Sequence, residues 1–166
     1  RFATACGWSS RLRLDLVLND FVACAITSGK ITVLSDGTPW RPLIDVEDMS
    51  RAIDWAINRK KHSGGQYLVV NTGNNSSNYQ VKQIANSVAK LIPETKILIN
   101  KNALPDNRSY SVDFTKYQQL AKEFQPIISL DQSILRLKEN LIKIKFSNLN
   151  FRESTLMRLN TLKKHI

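Results

Sequence analysis

Nothing in this sequence is arranged for bond-breaking chemistry on its own. The two histidines, His62 and His165, stand alone, with no second ligand at metal spacing. The two cysteines, Cys6 and Cys24, form no C-x-x-C pair and are too few for a disulfide framework, so a reduced, cytoplasmic setting is expected. None of the six glycines builds a G-x-G-x-x-G turn, a phosphate loop or a G-x-S-x-G elbow. No apolar run approaches the roughly 20 residues that a membrane-spanning helix needs, so no membrane partner is expected. The opening R-F-A-T-A-C-G is too short and too mixed for a signal peptide. It begins at Arg1 in what reads as the end of a strand, which raises the expectation of a piece of a longer protein.

What is present is an ordinary globular composition, 42% hydrophobic and 23% charged over 166 residues, enough for one domain with a core. The net charge of +10 is uneven: residues 136–166 hold eight basic and two acidic side chains. Such a tail reads first as a solvated helix face and only second as a nucleic-acid contact, since Phe146 and Phe151 are its only aromatics.

The periodicity alternates between strand and helix up to about residue 124, which predicts an α/β domain with parallel pairing in part. Leu14, Val17, Leu18, Phe21, Val22, Ala25 and Ile26 recur at helical spacing, and Gly29 closes that helix. Strands are expected at Ile31–Leu34, Leu43–Val46 and Lys96–Ile99, and a helix over Val81–Ile92. The run Tyr67-Leu68-Val69-Val70 reads as a strand buried on both faces, and 72–78 as a polar loop. A helix capped by Asp48 or Glu47 is expected to run to Lys60, Lys61 and His62, with Asp48 the favoured cap. Asp113 opens a short helix, S-x-x-Q at Ser129 a longer one, and Arg152–Lys164 a last one.

The residues that remain for chemistry suit binding. Arg41 lies between the turn Asp36-Gly37 and a short strand; Asp106 and Arg108 share a polar loop with Tyr110 just beyond. Two arginines from separate loops can clamp a diphosphate, an aspartate can accept ribose hydroxyls, and Thr32 and Leu34 at a strand end can frame a flat base.

These residues, in order, resemble the C-terminal portion of an extended short-chain dehydrogenase/reductase of the NAD-dependent epimerase/dehydratase family. The resemblance rests on R-F-A-T-A-C-G-W-S-S-R-L-R-L-D, on D-G-T-P-W-R-P-L-I-D-V-E-D, on Y-L-V-V-N-T-G and on P-D-N-R-S-Y-S-V-D-F-T-K. It implies a Rossmann-like α/β fold of mixed short strands with flanking helices, its N-terminal cofactor-binding half missing. Residues 1–140 would be the substrate-binding portion and 141–166 a basic helical tail. By resemblance, Arg41 holds the diphosphate of a nucleotide-diphosphate sugar, Thr32 and Leu34 contact the base, and Leu16 and Val17 line the nucleotide with backbone groups. Asp106, Arg108 and Tyr110 contact ribose and phosphate. Thr4 falls near the family's asparagine between substrate and cofactor, NAD or NADP; that asparagine is absent here, and Asp45 stands where the family's H-V-x-D motif has histidine.

The family's Y-x-x-x-K pair, whose tyrosine moves a proton while the nicotinamide moves a hydride at sugar C4, is absent, as is its glycine-rich cofactor loop. The chain is therefore expected to be inactive alone, and no residue is assigned a catalytic or metal-binding role. The resemblance leaves open epimerase, dehydratase or reductase; a homodimer is a common state in the family. The rivals are a non-catalytic nucleotide-sugar binding protein of the same fold and, with less support, a basic nucleic-acid-binding protein.

Overall fold

The computed structural model describes residues 1–100, 102–103 and 108–163. Its elements in chain order are β1 (Thr4–Cys6), α1 (Val17–Ser28), β2 (Lys30–Val33), β3 (Trp40–Asp45), α2 (Val46–Asn58), β4 (Asn78–Gln80), α3 (Val81–Leu91), β5 (Lys96–Ile99), α4 (Thr115–Leu120), α5 (Leu130–Lys143) and α6 (Arg158–Lys163). β3 is central in a three-stranded sheet, parallel to β1 with Cys6 opposite Asp45 and antiparallel to β4 with Arg41 opposite Tyr79. β2 and β5 form a separate parallel pair, with Thr32 opposite Leu98. The expected α/β class with partly parallel pairing is what forms.

The main core lies between α1, α3 and α5 and the inward face of β2. Leu18 and Val22 of α1 meet Ile84 and Val88 of α3, Ile134, Leu137 and Leu141 of α5, and Ile31 and Val33 of β2. α1 buries one face because its apolar residues recur every three or four positions; it stops at Gly29, whose φ of 65° is the left-handed conformation that glycine adopts without a Cβ penalty. α5 starts as S-x-x-Q predicts: Ser129 Oγ accepts from Gln132 N at 3.2 Å, and the Gln132 side chain accepts from Ser129 N at 2.8 Å. A second cluster joins α2 to α4 through Trp55 and Tyr117, packed edge to face at 5.4 Å.

Several expectations from the sequence do not hold. The cap of α2 is Asp45, whose side chain accepts from Glu47 N at 3.0 Å. Asp48 lies within the first turn of the helix, 1% exposed, and its carboxylate accepts from Ile127 N at 3.1 Å and Ile128 N at 3.0 Å. A carboxylate after a strand suits either task; a partner 79 residues downstream decides it. α2 ends at Asn58, before Lys60, Lys61 and His62.

Residues 66–71 form no strand. Only Thr72 bridges to Phe2, and Tyr67 is 85% exposed, because no described element covers that side. The stretch 72–78 holds a 3-10 turn (Asn75–Ser77) and the start of β4, pinned by Asn78, whose side chain bonds the backbone of Val112 in both directions.

The C-terminal region is exposed at Lys143, Lys145, Arg152, Arg158 and Lys163, but it is not the continuous helix expected from Arg152. α5 runs through the expected boundary at 140 to Lys143, residues 151–153 make a 3-10 turn and only Arg158–Lys163 is helical. Phe151 is 2% exposed in the main core, with Phe146, Leu156 and Met157 packed beside it. No helix among the described residues is long and apolar enough to cross a membrane.

Gly7 shows how closely the sheet end is built. Its φ is 99°, and a Cβ there would lie 2.5 Å from Asp45 Oδ2. Gly7→Ala is expected to cost about 2 kcal/mol or more, from backbone strain and a displaced carboxylate. A urea denaturation midpoint unchanged by the substitution would contradict this.

Candidate nucleotide cleft

A cleft of about 580 Å³ opens between α1, the end of β2, β3 and the segment around residue 110. Each expected site residue that is described lines it: Thr4, Leu16, Val17, Thr32, Leu34, Arg41, Arg108 and Tyr110. Asp106 lies outside the described residues. Residues from five places in the chain thus meet on one surface. Thr4 comes from β1, Leu16 and Val17 from the start of α1, Thr32 and Leu34 from the end of β2, Arg41 from β3, and Arg108 and Tyr110 from the late loop.

β3 fixes the basic side of the cleft. Arg41 follows Trp40, and Arg41 Nη1 donates to Trp40 O at 2.7 Å and to the carbonyl of Arg108. Its guanidinium carbon lies 5.7 Å from the centre of the Tyr110 ring, a cation–π contact. Trp40 N donates to Ser109 Oγ at 3.0 Å and Tyr110 N to Trp40 O at 3.3 Å, so residues 108–110 are stitched to the edge of β3. Tyr110 Oη lies 3.4 Å from Thr4 Oγ1. Arg41 and Arg108 therefore share one side of the cleft with two hydroxyls, an arrangement that suits an anion with several oxygens.

At the other cluster of lining residues, α1 begins after Leu16, which has extended backbone and gives no side-chain cap. Its first-turn N–H groups sit at the cleft wall, where the positive end of the helix dipole favours negative charge. Asp15 and Asp20 also line the cleft, and each is bound by an arginine: Asp15 by Arg13 at 2.6 Å, Asp20 by Arg152 through two bonds of 2.8 Å. The Arg13 bond holds the Asp15 carboxyl below the usual carboxylate range. Cys24, beside this pair, has its thiol pushed up to about 11 by burial and then by the Asp20 charge, so it is a neutral thiol. The cleft lining holds bound carboxylates and cations, which fits recognition better than acid–base chemistry.

Sequence reasoning missed Asp15, Asp20, Phe21, Arg152 and Met157, all of which line the cleft. Arg152 looks locally like one more basic tail residue. The signal that could have found it is the apolar spacing of Phe146, Phe151 and Leu156 around it, which marks a segment that packs.

Among the described residues, the ends of β1 and β3 provide no cradle for a dinucleotide. β3 passes directly from Asp45 into α2 at Val46 with no glycine loop between them. At the end of β1, the space beside Gly7 is filled by the Asp45 carboxylate. These residues do not fit the pyrophosphate of NAD or NADP.

Residues 9–73 match the model of the NAD dependent epimerase/dehydratase family. Solved structures share the fold at low identity. One is an NAD-dependent NDP-hexosamine 5,6-dehydratase, TunA, involved in tunicamycin biosynthesis (17% identity, TM-score 0.71, covering 86% of this chain and 45% of that one). Another is UDP-glucuronic acid 4-epimerase from Bacillus cereus, in complex with UDP-glucuronic acid and NAD (19%, 0.70, 87% and 44%). A third is L-threonine dehydrogenase from Phytophthora infestans (15%, 0.71, 87% and 47%). The chain spans less than half the length of these structures. The resemblance read from the sequence is borne out in the 9–73 match and in the α/β fold, which is shared with part of each of these solved structures. The third neighbour is a reminder that one fold serves different substrates.

Proposed function

We propose that this chain, similar in sequence and fold to the NAD dependent epimerase/dehydratase family, is the substrate-binding portion of an NAD(P)-dependent enzyme acting on a nucleotide-diphosphate sugar. The observation that carries this reading is the convergence of Thr4, Leu16, Val17, Thr32, Leu34, Arg41, Arg108 and Tyr110 on one cleft. Its volume of about 580 Å³ falls in the range of small-molecule and cofactor sites. In this reading Arg41 and Arg108 take the diphosphate, and the start of α1 and the end of β2 enclose the nucleoside. Thr4 lies on the side toward the dinucleotide.

The dinucleotide and the reacting acid–base group belong to a segment upstream of Arg1. An exposed apolar face supports this: Phe2, Ile53, Ile57, Tyr67 and Val69 are between 43% and 85% exposed and line one groove. A contiguous apolar face of this kind marks a surface that another element covers. The strand expected at 66–71 lies in it, and the match covers less than half of the solved structures of the same fold. The non-catalytic binding protein remains the rival, and the complete sequence separates the two. Against the nucleic-acid reading stand the pairing of Arg152 with Asp20 and the burial of Phe151.

The test is direct binding of UDP, CDP, GDP and dTDP to the complete protein by calorimetry. Arg41→Ala is expected to weaken the diphosphates that bind by about 10- to 100-fold, the worth of charge-assisted hydrogen bonds to phosphate. Affinities that stay within about twofold of the parent would remove Arg41 from the phosphate site.

A further inference from the structure

We propose that the C-terminal segment Phe151–Met157 is the wall of the cleft that reads the base of the bound nucleotide, so that Arg152 and Met157 set which nucleoside diphosphate is accepted. The inference rests on the reading of the cleft as a nucleoside diphosphate site and assigns the recognition of the base within it.

The segment is built into the cleft rather than laid over it. Phe151 anchors it in the core at 2% exposure, 5.9 Å from the Phe146 ring. Ser154 Oγ donates to Phe151 O at 2.6 Å and accepts from Leu156 N at 3.2 Å, which closes the turn. Leu156 O then accepts from Leu14 N at 3.1 Å, tying the segment to the loop that leads into α1. Arg152 reaches back across the chain to Asp20 with Nε and Nη2, both at 2.8 Å, and Nη2 also donates to Cys24 Sγ at 3.3 Å. Among these, Leu14, Asp20, Arg152 and Met157 line the cleft itself.

The lining sorts by chemistry. Arg41 and Arg108, with the hydroxyls of Thr4 and Tyr110, form a cationic, polar group; Leu14, Phe21 and Met157 form an apolar group with the Asp20–Arg152 pair beside it. A nucleoside diphosphate has the same division. Its phosphates carry the charge and need donors, while its base is a flat, weakly polar plate whose faces are satisfied by apolar and sulfur contacts. The bases differ in the order of donors and acceptors along their edges. A carboxylate accepts and a guanidinium donates, so a fixed Asp20–Arg152 pair presents both kinds of partner in one orientation. The diphosphate is common to every candidate ligand, and so cannot distinguish them; the wall that meets the base can.

The experiment measures the affinities of UDP, CDP, GDP and dTDP for the complete protein, for Arg41→Ala, for Met157→Ala and for the double substitution Asp20→Asn with Arg152→Gln. The double substitution avoids leaving either charge alone, and thermal melting checks that each variant folds. Arg41→Ala is expected to weaken all four ligands by a similar factor. Met157→Ala and the double substitution are expected to change the ratio between the tightest and the weakest diphosphate by about tenfold, the size of one lost hydrogen bond to a charged group. If Arg41→Ala weakens all four while both wall variants leave the ratio unchanged, or lower all four equally, the base-reading wall is wrong and the diphosphate site stands. If none of the four diphosphates binds the folded protein, the diphosphate site falls and the wall with it.

Discussion

Asp48→Ala is expected to destabilise the protein by about 3 kcal/mol or more. The carboxylate is 1% exposed and receives two backbone donors, Ile127 N at 3.1 Å and Ile128 N at 3.0 Å. Alanine would strand both donors away from water, and each charge-assisted bond of this kind contributes about 1.5–3 kcal/mol. The loss would spread, because residues 127–129 lead into α5, whose Ile134, Leu137 and Leu141 are fully buried in the main core. Arg51, with Nε 3.8 Å from Asp48 Oδ1, would lose its nearest carboxylate as well. Asp48→Asn keeps the shape but presents one acceptor where two are needed, so it should recover only part of the loss. Urea denaturation gives the comparison; a change below about 1 kcal/mol for Asp48→Ala would show that the two contacts contribute little.

The second large effect is on turnover. Residues 1–166 alone are expected to show no NAD(P)-dependent conversion of UDP-glucose or UDP-glucuronic acid, whatever they bind. None of Tyr67, Tyr79, Tyr110 and Tyr117 has a lysine four residues on. Among the described lining residues the carboxylates are Asp15 and Asp20, each bound by an arginine. The glycine-free passage from β3 into α2 also gives a dinucleotide no phosphate loop at that strand end. The test follows absorbance of the reduced nicotinamide, with the complete protein assayed in parallel. Turnover by 1–166 alone would mean that reacting groups lie within this chain, and the division of labour proposed above would be wrong.

How much of this was legible in the sequence depended on how far apart the cooperating residues lie. α1 and α5 could be read because their information is local: apolar residues every three or four positions, Gly29 at one end, the Ser129–Gln132 pair at the other start. Asp48 was misread for the opposite reason. Next to a strand and inside an acidic trio it looks like a cap, and only the return of residues 127 and 128 shows what it holds. Tyr67 to Val70 has the composition of a buried strand, and Leu68 and Val70 do pack on the Trp55–Tyr117 cluster, yet strand formation also needs partners along the edges, and within the described residues only the first residues of the chain bond to this stretch and to Thr72 after it.

The cleft divides in the same way. Arg41, Arg108 and Tyr110 stood out because arginine and an aromatic in turn-rich loops suggest a ligand, Thr32 and Leu34 because they end a strand beside that loop, and the family resemblance added Leu16, Val17 and Thr4. Arg152 carried no such mark. Its partner Asp20 is 132 residues away, and a basic tail counted by charge alone reads as solvated. What the count omitted was the anchor, Phe151, whose burial brings the arginine to the cleft.

The most direct measurement is hydrogen–deuterium exchange on the complete protein, with UDP, CDP, GDP and dTDP added in turn. The account predicts that a diphosphate that binds protects residues 14–17, 32–41 and 108–110 together, the segments that line the cleft. Protection confined to other segments, or none with all four ligands at saturating concentration, would contradict it.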